Sequence, residues 1–188
     1  PGVLAAADLY TIVKGAMILD RHQAADLLQQ IVHTLESHNT SLSGGKRLIL
    51  SGAACEIPDL VNTVESAGGF IVGDDFCTGL RWFNRPVETA QNLMDGLAQR
   101  IVGTINCPAK HTGLTTRADH LISLAKSLQA DGVLFLLNKF CDPHAFDFPT
   151  IKSALDEKQI KNSFIELDGA DLGTGQISTR IESFIEML

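Results

Sequence analysis

The stretch DGVLFLLNKFCDPHAF, residues 131–146, passes from an uncharged apolar run straight into a lysine, a thiol, an acid and an imidazole. A thiolate beside a helix N-terminus is stabilised by the peptide dipoles and makes a good ligand for soft metals and iron-sulfur clusters. Cys141 is therefore a candidate ligand, with His144 a candidate base or hydrogen-bond partner close to it. Two more cysteines close strand-like runs in the same manner, Cys55 in SGAACEIP and Cys77 in DDFCTGLRWF. The plain alternative for each is a small buried side chain at a strand end. Spacing alone does not rank the three.

Other residues with chemical potential cluster in the same kind of position. Asp74 and Asp75 form a carboxylate pair in which burial would raise one pKa for acid or base work, or else they cap the turn that follows. Asp75 and His144 are the catalytic candidates. Arg81 is suited to binding a phosphate or to pairing with Asp75, and Trp82 and Phe83 to lining an apolar wall or a core. In DLGTGQ, the backbone amides around Gly173, Gly175 and Gln176 could cradle an anion, although the run is neither a Walker A loop nor GxGxxG. Cys107 and His111 in NCPAKHTG have the spacing of half a zinc site, without two further ligands.

The elements that must hold these residues are legible. RLILSG, GGFIVGDD, GVLFLLNKF and SFIELD are strand-like, and helix-like sequence separates each from the next. That alternation predicts an α/β fold, an open and mainly parallel four-stranded sheet with helices on both faces, of the Rossmann or flavodoxin-like three-layer kind. Apolar spacing over residues 8–38 predicts a helix ahead of it. Residues 1–40 are thus expected to be a helical lead-in packed on an α/β domain of residues 41–188. Pro86 is expected to open one helix and Thr116 or Asp119 another, and the last helix should bury Ile177, Ile181, Phe184, Ile185 and Leu188 on one stripe. In such a sheet ligands bind beyond the carboxyl ends of the strands, which is where Cys55, Cys77, Arg81, Cys141 and Gly173 fall.

Composition narrows the classes. The chain has 188 residues, 45% of them apolar and 20% charged, the balance of a globular protein. Its net charge of −7 with scattered basic residues argues against nucleic-acid binding. The apolar runs are too short to cross a bilayer, so no membrane association is expected. Four dispersed cysteines, with no CxxC pair and no secretory leader, point to reduced thiols in a cytoplasmic protein. The first residue, Pro1, suggests a piece of something longer.

Taken in order, SGAACEIPDLVNTVESAGGFIVGDDFCTGLRWF, DGVLFLLNKFCDPHAFDFP and DLGTGQISTRIESFIEML resemble the carboxyl-terminal half of the 2-hydroxyacyl-CoA dehydratase D-component family, which also contains benzoyl-CoA reductase subunits. The ordered set GGxxVxDDxCxGxR, KFCDPH and GTGQxxTRxExFxE carries the resemblance. It implies an oxygen-sensitive lyase subunit of anaerobic metabolism with a 4Fe-4S cluster. The implied partners are a sister subunit, in a heterodimer or larger complex, and an ATP-hydrolysing iron-sulfur activator that delivers single electrons. In the dehydratases an electron reaches the thioester of a 2-hydroxyacyl-CoA and the resulting ketyl expels the neighbouring hydroxyl; in the reductases it goes toward an aromatic acyl-CoA ring. The resemblance assigns Cys141, in KFCDPH, as a cluster ligand, with the other protein ligands supplied by an amino-terminal domain. It makes Cys55 and Cys77 structural or supporting residues, and Asp142 and His144 groups close to the ligand. Alone, this segment is expected to be inactive and without a cluster. A cluster-less scaffold subunit and a module binding a phosphate-bearing ligand near Arg81, Gly173 and Gly175 are the rival readings.

Overall fold

The computed structural model describes residues 3–37, 44–53, 58–89, 92–103, 107–110, 113, 115–168 and 175–188. Four strands, β1 (Lys46–Gly52), β2 (Gly69–Asp75), β3 (Gly132–Asn138) and β4 (Lys161–Leu167), form one sheet in the order β2-β1-β3-β4. All three pairings are parallel, so the expected sheet is present. Between Leu48 and Ile49 the register of β1 against edge strand β2 slips by one residue.

Eight helices are described: α1 (Ala6–Ile18), α2 (Arg21–Ser37), α3 (Pro58–Ser66), α4 (Leu80–Phe83), α5 (Leu93–Gly103), α6 (Thr116–Ser127), α7 (Asp142–Glu157) and α8 (Gly175–Glu186). Because successive strand residues point to opposite faces, β1, β3 and β4 split their side chains between two cores. Leu48, Leu50, Leu134, Leu136, Ile165 and Leu167 pack under α1, α3 and α8. Ile49, Val133 and Phe135 pack under α6 and α7, where Leu121, Ile122, Ile151 and Leu155 meet them. Both faces are apolar because helices cover both.

Local chemistry explains the boundaries. The single helix expected over residues 8–38 is two, because Asp20 accepts from the main-chain N–H of His22 (2.9 Å) and Gln23 (3.3 Å) and so starts α2 afresh after Leu19. The helix expected from Pro86 begins only at Leu93, where the Asn92 side chain accepts from Met94 N–H at 3.0 Å. Thr116 does open α6. Pro143 sits in the first turn of α7, where a missing N–H costs nothing. Past the other end of α7, Gln159 takes a left-handed φ of 58° and the Ile160 N–H reaches back to Leu155 at 2.9 Å. The last helix buries Ile181, Phe184 and Ile185, with Ile177 and Leu188 packed at their margin, the stripe that spacing predicts. Ala6 and Tyr10 tie α1 into the core beside α3.

In this order β1 is followed by β2 on one side and β3 on the other. The strand order reverses between β1 and β3, and the crevice outside their carboxyl ends is the place where open α/β sheets bind ligands.

Candidate functional site

At that edge a buried charged knot joins five elements. Asp75, the last residue of β2, is buried; its Oδ1 lies 2.9 Å from Arg81 Nε and its Oδ2 lies 3.0 Å from Arg117 Nη2, with Ser51 Oγ of β1 donating to Oδ2 at 3.3 Å. Arg81, in α4, also donates to the carbonyls of Asp75 and Gly52, stitching β2 to β1. Arg117, in the first turn of α6, reaches onward to Asp147 of α7 at 3.2 Å. Buried guanidinium groups survive only when paired, and here two arginines share two carboxylates.

The sequence candidates fall around this knot. Of the two roles open to Arg81, the observed one is the ion pair with Asp75, its guanidinium turned inward. Cys77 is exposed, and its Sγ accepts from Arg81 Nη1 at 3.4 Å. His144 is buried, and its Nε2 has no hydrogen-bond partner among the described residues. Burial, with Arg117 and Arg81 nearby, pushes its imidazole down to about 3, so it is neutral at pH 7. Half-buried His120 is lowered chiefly by burial, against the opposing pull of Asp75. Cys55 and Gly173, with His111 of the zinc reading, lie outside the described residues. Gly175 and Gln176 are exposed at the start of α8, on the opposite face from α6 and α7.

The two neighbouring acids have separate fates. Asp74 caps a turn: its Oδ1 accepts from the N–H groups of Phe76 (3.0 Å) and Leu80 (2.9 Å), and the Tyr10 hydroxyl reaches the same carboxyl. Burial still raises its pKa. It borders an apolar cavity of about 390 Å³ beyond edge strand β2, walled by Leu9, Val13, Ile71, Leu80 and Phe83.

Cys141 stands at the N-cap of α7, half-exposed, just beyond the end of β3. The tight turn before it closes through Cys141 N–H to Asn138 O at 3.0 Å and holds Phe140 at φ 66°, an unusual conformation for an aromatic residue. Phe140 and Phe146 flank it, 89% and 79% exposed. Lys139, beneath the turn, pairs with Asp168 at 3.0 Å.

Pattern reading of the sequence missed Ser51, Arg117 and Asp147. A usable signal existed for Arg117: it shares the helical stripe of Leu121 and Ala125, so a charge sits on a buried face.

The model of the family described as 2-hydroxyglutaryl-CoA dehydratase, D-component, matches residues 1–188. The chain belongs to that family. It is 28% identical over 188 residues to the (R)-phenyllactyl-CoA dehydratase beta subunit of Clostridium sporogenes, covering 100% of this chain and 50% of the relative. It is 24% identical over 194 residues to the beta subunit of the (R)-2-hydroxyglutaryl-CoA dehydratase of Acidaminococcus fermentans, covering 100% and 51%. A benzoyl-CoA reductase subunit of Thauera aromatica is 24% identical over 164 residues, covering 85% of this chain and 42% of the relative. The chain thus spans about half the length of the curated relatives it matches.

Whether the 4Fe-4S cluster that the sequence resemblance implies suits this edge is a question of donors. Among the described residues no three His, Cys, Asp or Glu side chains gather into a metal-holding group. Cys141 is half-buried at the positive end of α7, whereas the more exposed Cys77 has its Sγ accepting from Arg81. The donor set fits one contributed thiolate and does not form a cage by itself. No helix among the described residues is long and apolar enough to cross a membrane.

Proposed function

We propose that this chain is the carboxyl-terminal half of a 2-hydroxyacyl-CoA dehydratase subunit, and that Cys141 supplies one thiolate to a 4Fe-4S cluster completed by residues outside it. The observation that carries the reading is the half-exposed thiol at the α7 N-cap, at the carboxyl end of β3, within a chain that matches dehydratase subunits along its whole length. When bound, the cluster would supply single electrons at low potential, delivered from an ATP-dependent activator protein. This chain's part is to hold the thiolate at the positive end of a helix and to keep apolar surface, Phe140 and Phe146, around it. Both rings are exposed in this chain, so cover from residues outside it would be needed to exclude water from the site.

The partners that this reading entails are a sister subunit and an acyl-CoA substrate. Buried Arg81 is committed to Asp75 and is not free for a substrate phosphate, which leaves Gly175 and Gln176 as the described candidates for contact with the CoA moiety. His144, neutral and buried, is available only for a short-range hydrogen bond beside Cys141.

The test is anaerobic iron-sulfur reconstitution of the full-length subunit with its sister chain, comparing Cys141→Ala with the unaltered protein by visible absorption. The variant should lose the cluster bands and the unaltered protein should show them. A full cluster in the variant would refute the ligand assignment, and no cluster in either would favour a scaffold subunit. Turnover of 2-hydroxyacyl-CoA against benzoyl-CoA then separates dehydratase from ring-reductase activity, the second reading that the Thauera aromatica relative supports.

A further inference from the structure

Helix α7 is anchored unevenly. From Phe148 onward it is held by apolar burial, with the Phe148 ring 5.1 Å from that of Phe135 and 4.8 Å from that of Phe164, and Ile151 and Leu155 in the core under α6. Its first turns are not: Asp142, Ala145 and Phe146 face solvent, and Cys141 at the N-cap makes no side-chain capping bond. His144 is the one fully buried side chain there, and its Nε2 finds no partner among the described residues. Ahead of Phe148, the side-chain ion pair that attaches these turns among the described residues is that of Asp147, whose Oδ2 lies 3.2 Å from Arg117 Nη1. Arg117 is itself fixed at its other nitrogen, 3.0 Å from Asp75 Oδ2, and Asp75 is held to β1 and α4 through Ser51 and Arg81. A chain of buried charge contacts therefore runs from the rigid strand ends to the second turn of α7.

We propose that Arg117 and Asp147 are positioning residues, a brace that sets the first turns of α7 and, through them, the direction in which Cys141 presents its thiol. The proposal rests on the reading of Cys141 as a cluster ligand for its functional meaning, and on the Asp75–Arg117–Asp147 geometry for its mechanics. A ligand on a helix N-cap moves with the whole first turn, so a shift or loosening there changes the geometry at the thiolate even though neither braced residue touches it. Asp147 is the informative position, because it is partly exposed and its loss leaves Arg117 still paired with Asp75.

The experiment compares Asp147→Asn and Asp147→Glu with the unaltered full-length subunit in its assembled, cluster-loaded form. Two signals are read: amide hydrogen exchange of residues 142–148 against residues 150–157 as an internal reference, and the electron paramagnetic resonance spectrum of the reduced cluster. In Asp147→Asn, exchange over 142–148 should rise about tenfold, equivalent to about 1.4 kcal/mol of opening free energy, with the reference segment unchanged. The spectrum should shift, and Asp147→Glu should restore both signals toward normal. Unchanged exchange over 142–148, or an equal rise along all of α7, overturns the brace. Faster local exchange with an unaltered spectrum overturns its link to Cys141. If Cys141→Ala keeps a full cluster, the ligand reading falls by itself, while the exchange data still decide the brace.

Discussion

His144 couples this edge of the sheet to acid. In an unfolded chain its imidazole titrates near 6.5, but burial beside Arg117 and Arg81 holds it down to about 3. Between those values the unfolded chain binds a proton that the folded chain refuses. The contribution to stability is therefore complete above about pH 6.5 and is lost as pH falls toward 3, at no more than about 1.4 kcal/mol per unit. Urea unfolding at pH 7, 6 and 5 should show that slope, and His144→Gln should flatten it. An equal slope in the variant would place the acid sensitivity elsewhere. Asp74 works in the opposite direction, since its raised pKa makes its contribution greatest below 3.8 and weaker as pH rises through its titration. Asp74→Asn keeps an acceptor for the Phe76 and Leu80 N–H groups and removes a buried charge, so stability at pH 7 should be equal or higher in the same assay. His144 and both acids were visible in the sequence as candidates. What spacing could not show was that Asp75 is consumed by two arginines and Asp74 by a turn, because those partners are set by the fold.

Among the elements, β1 and β3 approach each other closely. A Cβ at Gly52 would lie 2.1 Å from the carbonyl oxygen of Leu136, and both atoms belong to strands held by a ladder on either side. Gly52→Ala should cost about 3 kcal/mol, the upper end of overpacking penalties, read as a fall in the urea midpoint with m unchanged. At Gly175 a Cβ meets nothing within 4 Å, so Gly175→Ala should stay within about 0.5 kcal/mol of the unaltered chain. Equal effects at the two positions would contradict the close approach of β1 to β3. The four strands were readable because a strand covered on both faces is a continuous apolar run, as GVLFLL is. The break at Leu19–Asp20 was not, because the apolar spacing of α2 resumes after it and only the Asp20 cap marks a new start. The late start of α5 was hidden for a similar reason, since Pro86 suits a helix start but the cap that forms is Asn92.

On the scale of the molecule, apolar surface remains uncovered. Leu93, Met94, Leu97, Ile101 and Val102 are exposed along α5, with 93, 97 and 101 on one stripe, and Phe140 and Phe146 stand out beside Cys141. Exposed apolar stripes of this kind favour association. Met94→Glu with Ile101→Lys should reduce self-association of the chain in sedimentation velocity while shifting stability by no more than about 0.5 kcal/mol. Loss of stability instead would mean that α5 is packed more tightly than its exposure indicates.

By itself the sequence determined the α/β alternation, the burial of the central strands and the family, because periodicity and ordered motifs are written in windows of a few to a few tens of residues. Only the tertiary structure decided the charged knot. Asp75 and Arg117 are 42 residues apart and Arg117 and Asp147 are 30 apart, and they meet because the order β2-β1-β3-β4 brings the end of β2 to the starts of α6 and α7. Local pattern carries no information about which distant charge will neutralise a buried one; the low-permittivity interior enforces that choice once the sheet has formed.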